Sequence, residues 1–290
     1  MLHLKEFLPG LRPGMALDVG TRYGEFAFTL AEAMPAGSRV IGLDCDEKTV
    51  EEAKEKNAGK GVEFVLGDGA HMDFSDNTFE LAAISNTLHH IENYNAVLDE
   101  MFRVLRPGGV FLVNEMFSDG QNEAQQTHFL QHCFEAKLDM LSGGFQRPTW
   151  RKDEIIKILS RLPLTDVKTT ELLEESKMDA KLAEKNEKLV RAVEKHACGR
   201  PEYETLLSEA KSIQTRCAQT GIQPVSYTHL DVYKRQPWRP SRWSMRNTSR
   251  FSPWSAPPRR TRPRCTVKQT SIRKSILSTA MWTKPSNTAM

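Results

Sequence analysis

The chain has 290 residues, which is enough for one large domain or for one domain with an extension. Its 40 basic and 37 acidic residues nearly balance, yet residues 232–290 contain 14 of the basic residues and none of the acidic ones. The composition therefore excludes a uniformly basic protein, because only the last part of the chain is strongly basic.

The five cysteines form no Cys-x-x-Cys pair, which argues against a zinc site. The first residues do not resemble a signal peptide and no apolar run is long enough to span a membrane, so we expect a cytoplasmic protein.

Short apolar runs alternate with amphipathic stretches up to about residue 116. Such alternation is typical of βαβ units, in which helices cover both faces of a parallel sheet. We predict an α/β fold with a Rossmann-like, doubly wound, mainly parallel sheet and with late helical insertions. The predicted strands are residues 15–20, 38–44, 62–66, 79–85, 110–114 and 164–173, and the predicted helices are 23–34, 46–57, 95–105, 121–141, 150–160, 177–197 and 201–217.

The sequence changes character near residue 225. Four of the five Trp and seven of the fifteen Pro lie within 232–290, where no hydrophobic period is maintained. Residues 225–236 resemble a translated sequencing-adapter fragment, and an out-of-frame reading after it would explain the lack of acidic residues. We predict a folded domain over 1–224 and a disordered or artefactual basic tail over 225–290. The alternative is a basic arm with interleaved Trp that binds nucleic acid.

A glycine loop follows the first predicted strand. Gly20 and Gly24 stand between the apolar run at 15–17 and the apolar stretch at 26–31. Glycine permits a positive φ, and it lets a ligand approach the backbone where a Cβ would collide. The helix behind the loop directs its free N–H groups and its positive dipole end at such a ligand. Taken alone, the pattern also fits an ordinary strand–helix turn.

Polar residues follow the next three predicted strands. Asp44 ends the second strand, where a carboxylate can accept hydrogen bonds from both hydroxyls of a ribose. Gly67-Asp68-Gly69-Ala70 follows the third strand, and its acid can accept a hydrogen bond from an adenine amine. Ser85-Asn86-Thr87-Leu88-His89-His90 follows the fourth. Because parallel strands end at one edge of the sheet, we expect all of these groups to line a single crevice.

These segments, with Asp18-Val19-Gly20-Thr21-Arg22-Tyr23-Gly24 and Leu105-Arg106-Pro107-Gly108-Gly109, resemble class I S-adenosylmethionine-dependent methyltransferases over roughly residues 10–116. The likeness is to the small-molecule branch that includes the quinone-biosynthesis enzymes. It implies S-adenosylmethionine as methyl donor and a small-molecule acceptor, and it argues against a nucleic-acid substrate. The resemblance also implies which residues bind the cofactor. Its methionine and ribose parts would lie beside Asp18, Gly20, Thr21 and Gly24, with the ribose hydroxyls at Asp44 next to Cys45. The adenine would lie at Asp68 with the backbone of Gly69 and Ala70, and the methionine amino group near Ser85 and Asn86.

One position departs from the family pattern, which usually has a third glycine where Arg22 stands. The Arg22 side chain is therefore expected to point away from the cofactor or to meet its carboxylate. This departure bears on the affinity for the cofactor. The resemblance also implies that the last strand, near residue 222, is antiparallel and inserts next to the fifth. Since the foreign-looking segment begins there, we expect the strand at 164–173 to lack a proper neighbour.

Four histidines are candidates for chemistry. His89 and His90 follow the fourth strand, and one of them could act as the catalytic base for an O–H or N–H acceptor. The alternative is that one caps the next helix and the other packs beneath the site. His128 and His132 lie four residues apart on a predicted helix, but no third ligand is evident, so we predict no metal.

Two other functions are compatible with parts of this pattern. An NAD-dependent dehydrogenase would use Gly20, Gly24 and Asp44, but Gly-x-x-x-Gly stands where Gly-x-Gly-x-x-Gly is required. A protein that binds the cofactor without turnover would share the whole crevice.

Overall fold

The protein is described here by a computed structural model that covers Leu4 and residues 12–171, 179–225 and 229–235. The strands are β1 (Met15–Val19), β2 (Arg39–Asp44), β3 (Val62–Leu66), β4 (Phe79–Ser85), β5 (Leu105–Glu115), β6 (Leu164–Glu171) and β7 (His229–Arg235). The helices are α1 (Glu25–Ala33), α2 (Glu47–Lys56), α3 (Tyr94–Val104), α4 (Glu123–Leu141), α5 (Lys152–Leu159), α6 (Ala180–Glu187), α7 (Leu189–Ala197) and α8 (Tyr203–Thr220), with a 3-10 turn at Leu88–His90.

One sheet of seven strands, in the order β3-β2-β1-β4-β5-β7-β6, forms the centre of the described structure. The first five strands in the chain pair in parallel, whereas β7 runs antiparallel to both β5 and β6. The chain moves outward from β1 to β3 and then returns to β4 on the other side of β1. The carboxyl ends of β1 and β4 therefore flank the point where open α/β sheets bind ligands. The predicted α/β, mainly parallel fold is confirmed.

The two faces of the sheet carry separate hydrophobic cores, because successive strand side chains point to opposite faces. Leu17 and Phe111 belong to the core that includes α3 and α5, and Ala16 and Leu112 belong to the core that includes α1. All but the last residue of β4 is buried, as expected for a central strand that is covered on both faces. This packing keeps the strands rigid up to the edge where the polar residues stand.

The late helices form a third packed group. Buried apolar residues of α4, α7 and α8 contact one another, among them Phe134, Val193 and Ile213. The predicted helical insertions are thus found, and α4 presents a buried polar stripe that includes His128 and His132. In the described segments, no helix combines the length and the apolar character of a membrane span.

The structure differs from expectation at β7. Residues 229–235 lie within the predicted tail, yet they pair with Val110–Glu115 on one side and with β6 on the other, so β6 does have a neighbour. The physical reason is that β5 and β6 both present free backbone groups to the gap between them, and residues 229–235 include Val and Tyr but no Pro. Residues 236–290 lie outside the described residues, so the domain boundary at 224 and the disordered tail stay predictions.

Candidate active site

The loop after β1 is built around Gly20. Its φ is +72°, and an added Cβ would collide with Thr87 Cγ2 and lie 2.8 Å from Thr87 Oγ1. The N–H groups of Gly20 and Thr21 both donate to Leu43 O, at 2.8 and 3.1 Å, which ties the loop to the end of β2. Gly24 has a φ of +88°, and a Cβ there would lie 2.5 Å from Phe64 Cζ. The positive φ expected at Gly20 is confirmed, and its contact with a cofactor stays a prediction.

Asp18 is a buried carboxyl at the end of β1, with 1% of its surface exposed. Thr21 Oγ1 donates to Asp18 Oδ2 at 2.8 Å. Burial raises the pKa of Asp18 from 3.8 to about 7; the Thr21 hydrogen bond opposes this effect and the nearby charge of Asp44 adds to it. Ionisation of this carboxyl is therefore unfavourable in the protein alone, and a cationic group placed beside it would make ionisation easier.

Asp44 is held in one orientation by the backbone of the loops beside it. Arg22 N–H donates to Asp44 Oδ2 at 2.8 Å, and Asp46 N–H donates to Asp44 Oδ1 at 3.0 Å. Arg22 reaches this position with a φ of +47°, in the left-handed region that the family's usual glycine adopts freely. Its guanidinium carbon lies 5.7 Å from the centre of the Tyr23 ring.

The turn after β3 places a second acid close to Asp44. Asp68 Oδ1 accepts a hydrogen bond from Ala70 N–H at 2.8 Å, which fixes the turn. A Cβ on Gly69 would lie 3.2 Å from Val19 Cγ1, so this turn packs closely on the end of β1. Cys45 lies among these acids, since partial burial raises the pKa of its thiol and the charges of Asp44 and Asp68 add to that effect.

Two buried carbonyl oxygens without hydrogen-bond donors lie at the ends of β4 and β5. Asn114 Nδ2 donates to Ser85 Oγ at 2.8 Å, and Asn86 N–H donates to Asn114 O at 2.8 Å. Within the described part of the chain, neither Asn86 Oδ1 nor Asn114 Oδ1 has a partner. Buried acceptors of this kind are normally satisfied. An ammonium group, which has only donors, fits the chemistry of these oxygens.

A buried imidazole–carboxylate pair occupies the next position along the chain. His89 Nδ1 lies 2.7 Å from Glu115 Oε1, and both side chains are 1% exposed. Glu115 also accepts hydrogen bonds from Leu88 N–H at 3.0 Å and Met116 N–H at 3.2 Å. His89 Nε2 is buried and has no partner among the described residues.

Two further histidines, His90 and His132, lie beside His89. The ring centres of His90 and His132 lie 4.2 and 4.9 Å from that of His89. Burial lowers the pKa of His132 to about 3, and neighbouring imidazoles add to the effect. His132 Nε2 lies 3.2 Å from Gln146 Nε2, whereas His128 Nδ1 accepts a hydrogen bond from Val225 N–H at 2.8 Å.

His128 and His132, whose spacing made them candidates for a metal pair, therefore contact different groups. In the parts of the chain that the structure describes, no group of three or more His, Cys, Asp or Glu is placed to hold a metal ion. The alternative of a capping histidine is wrong, because the N-cap of α3 is Asn93, whose side chain accepts from Ala96 N–H. His89 is buried and His90 is exposed.

The structure brings the predicted strand-end residues to one edge of the sheet and adds residues that sequence reasoning missed. Glu115, Asn114 and Thr87 carry the contacts just described, and none of them had been assigned a role. A signal for Glu115 was present, because it follows the apolar run Val110–Val113 at the end of the fifth strand. For the other four strands we take polar residues at the carboxyl end as candidates for the site, and the same criterion would include Glu115.

Residues 17–113 match the profile of a family described as "Methyltransferase domain". The demethylmenaquinone methyltransferase of Staphylococcus aureus (strain MRSA252) is 38% identical over 108 residues, which cover 37% of this chain and 45% of that protein. A ubiquinone/menaquinone biosynthesis C-methyltransferase of Desulfotalea psychrophila is 35% identical over 96 residues, covering 33% and 39% of the two chains. The aligned segment thus spans less than half the length of these relatives.

Among solved structures, phosphoethanolamine N-methyltransferase 2 of Haemonchus contortus in complex with S-adenosyl-L-methionine has a TM-score of 0.48 and 18% identity, and the match covers 81% of this chain and 51% of that one. The stronger sequence match, residues 17–113, runs from β1 into β5, where it stops before Asn114 and Glu115, and it contains Gly20, Asp44 and Asn86. Residues 17–113 are thus similar to class I S-adenosylmethionine-dependent methyltransferases, among them enzymes of quinone biosynthesis.

Proposed function

We propose that this protein transfers a methyl group from S-adenosylmethionine to a small-molecule acceptor in the cytoplasm. One observation carries the proposal. Three carboxyls and two unsatisfied carbonyl oxygens stand at the ends of adjacent strands, and all of them except that of Asn114 lie within the segment that matches the methyltransferase domain. The carboxyls are Asp18, Asp44 and Asp68. A cytoplasmic location is consistent with the unpaired thiols of the four described cysteines.

The charge of the crevice suits this cofactor. S-adenosylmethionine carries a sulfonium and an ammonium, and Asp18 is a carboxyl whose ionisation burial disfavours until a cation arrives. Asn86 Oδ1 and Asn114 Oδ1 offer acceptors to the ammonium. No comparable role exists for two lone carbonyl oxygens in the pyrophosphate site of a dinucleotide, which is anionic.

The ribose end is supported by the fixed orientation of Asp44. Each of its oxygens already accepts one backbone N–H, so the remaining lone pairs have fixed directions. A carboxylate held in this way can accept both ribose hydroxyl protons without losing side-chain entropy on binding. The same hydrogen bonds explain why an arginine can replace the family's usual glycine at position 22, since the backbone of Arg22 rather than its side chain contacts Asp44.

The bound cofactor supplies an activated methyl group on a good leaving group. The protein mainly has to hold the acceptor in line with that methyl group, and alignment alone can lower a barrier by as much as roughly 7–11 kcal/mol. We propose that α4 and the segment that follows it hold the acceptor, since the His132 ring lies against His89 and contacts the buried Gln146 in turn. The curated relatives are named for demethylmenaquinone and ubiquinone/menaquinone biosynthesis, which makes a quinol the first acceptor to test.

The test is calorimetric titration of S-adenosylmethionine and its demethylated product into wild type, Asp44→Asn and a control, Asp46→Asn. Asp44→Asn should weaken binding by about 1.5–3 kcal/mol, the range for hydrogen bonds to a charged group. Asp46→Asn should bind as wild type does, because the Asp46 side chain bonds Thr49 rather than the crevice loops. Equal affinity in all three proteins would remove the ribose role, and preferential binding of NAD would overturn the proposal.

Binding without turnover is the competing hypothesis. It expects the same calorimetric results but no transfer of a labelled methyl group to any acceptor. Incubation of the full chain with methyl-labelled S-adenosylmethionine and a quinol, followed by extraction of labelled product, separates the two. Labelled product supports the enzyme, and cofactor binding with no product from a panel of acceptors supports the binding protein.

A further inference from the structure

We propose that His89 and Glu115 form a proton-accepting unit, in which His89 is the catalytic base and Glu115 is its positioning residue. The acceptor would then carry a removable proton on oxygen, nitrogen or activated carbon. This inference rests on the proposed methyl transfer and adds to it a named base, a named positioning residue and the chemical class of the acceptor.

The hydrogen bonds around Glu115 determine the tautomer of the His89 imidazole. Its carboxylate accepts from two backbone N–H groups, those of Leu88 and Met116, and lies 2.7 Å from His89 Nδ1. An ionised carboxylate has only acceptors, so the third contact requires a proton on His89 Nδ1. The neutral imidazole then carries its lone pair on Nε2, the nitrogen that can take a proton.

His89 Nε2 is the feature that the fold alone does not explain. The side chain is 1% exposed, and within the described residues Nε2 has neither donor nor acceptor. A buried polar atom left unsatisfied costs about 1–3 kcal/mol. The X–H group of a bound acceptor would supply the missing hydrogen bond.

The groups that face His89 from each neighbouring element do not compete for that proton. Lowered pKa values keep His90 and His132 neutral near pH 7: partial loss of hydration lowers the pKa of His90 to about 4, and burial lowers that of His132 to about 3. From the loop after α4, Arg147 contributes a backbone N–H to His89 O at 3.1 Å. Glu115 is the carboxylate in contact with His89 and would stabilise its protonated form.

The position of His89 places the base beside the proposed methyl donor. The 3-10 turn that carries it directly follows Ser85 and Asn86 at the end of β4. Thr87, in the same turn, donates from Oγ1 to Gly20 O at 3.2 Å, which joins the turn to the glycine loop. The turn therefore lies between the proposed cofactor site and α4.

The step balances as follows. His89 Nε2 takes the proton from the acceptor X–H, and the electron pair left on X forms the new bond to the methyl carbon. The bond from that carbon to sulfur breaks, and its electron pair stays on sulfur, so the neutral thioether is released. The proton on the imidazolium, held beside Glu115, later passes to solvent. Acceptors that need no deprotonation, such as tertiary amines and thioethers, gain nothing from this unit.

The experiment uses the full chain with methyl-labelled S-adenosylmethionine and three probes: catechol, 1,4-naphthohydroquinone and a primary amine. Methyl transfer is measured from pH 6 to 10 for wild type, His89→Gln and Glu115→Gln, with His196→Gln as control. His196 is bonded to Ser142 on the far helices. Cofactor affinity and melting temperature are measured for each protein to confirm folding.

We expect His89→Gln to lower kcat by about 10²–10⁴-fold near pH 7, the usual contribution of a general base. With the phenolic probes the deficit should shrink towards pH 10, where a phenol ionises without help. A merely structural role would give the same deficit at every pH. Glu115→Gln should follow the same pH trend with a smaller loss, and His196→Gln should match wild type.

Three results would overturn the inference. The first is a His89→Gln protein that keeps its kcat, or whose loss is independent of pH. The second is a wild type that binds the cofactor and methylates none of the probes, which leaves the cofactor part of the proposed function intact. The third is independent of activity: nitrogen-15 spectra of labelled histidines that show His89 protonated on Nε2 instead of Nδ1. Failure to bind S-adenosylmethionine would instead refute the proposed function itself.

Discussion

Gly20 lies so close to Thr87 that even the methyl side chain of alanine would collide with it. Gly20 and Gly37 both have positive φ values, +72° and +86°, but only Gly20 has neighbours within 4 Å of an added Cβ. Gly37→Ala should therefore lower the free energy of unfolding by roughly 1–2 kcal/mol, the cost of the left-handed conformation. Gly20→Ala should lose about 1–3 kcal/mol more, because Thr87 must move. Urea unfolding of both variants measures the difference, and equal losses would show that the loop yields freely.

Asp18 gives the protein a stability that should depend on pH. Burial raises the pKa of its carboxyl from 3.8 in the unfolded chain to about 7 in the fold, so the folded state holds the proton more tightly. Its contribution is present below pH 3.8 and is lost as the pH rises to about 7, a change of roughly 4 kcal/mol.

Asp18→Asn removes this contribution without a change in shape, so the free energy of unfolding of the variant should gain on that of wild type between pH 4 and pH 7. Urea unfolding across that range measures the gain. His128 and His132 act in the opposite direction, because their lowered pKa values make stability rise with pH up to about 6.5. Since both proteins share those histidines, the difference between the two curves isolates Asp18. Parallel curves would contradict the expectation.

At the scale of elements, local signals predicted most of what was found. The five parallel strands were recognisable as short apolar runs between turn residues, and their carboxyl ends carry the polar groups of the site. Strand β5 begins at Leu105 rather than at the predicted 110, because Leu105 pairs with Phe79 across a register shift. That pairing depends on a partner 26 residues earlier in the chain, so no local pattern could show it.

The candidate site shows the same division between local and distant causes. The glycine loop and the acids after the strands were predictable, since each needs only its own strand end. The bond between His89 and Glu115 joins residues 26 apart, and the contact of His132 with that pair requires α4 to fold back over the sheet. The sequence contained every one of these residues, but their proximity is created by packing.

At the scale of the whole molecule, the continuity of the sheet depends on the strand that occupies the gap between β5 and β6. Each parallel strand up to β5 is predictable from a buried apolar run, whereas β7 occupies a position that the sheet topology leaves open to any chain able to pair there. Its residues pair with β5 from Val110 to Glu115, the strand that ends at the proposed positioning residue. Loss of β7 should therefore reach the site as well as the edge of the sheet.

The test is proline at the middle of β7. Val232 lies opposite Leu112 on β5 and opposite Lys168 on β6, so Val232→Pro removes a backbone donor from a strand that is paired on both sides. Val232→Thr is the control, because it keeps the N–H and a β-branched side chain. We expect Val232→Pro to melt at a lower temperature, by roughly 2–4 °C for each kcal/mol lost, and to lose amide protection at Phe111–Asn114 in hydrogen exchange. Val232→Thr should behave as wild type. If both variants melt and exchange alike, residues 229–235 contribute nothing to the sheet, and the boundary predicted at residue 224 describes the protein in solution.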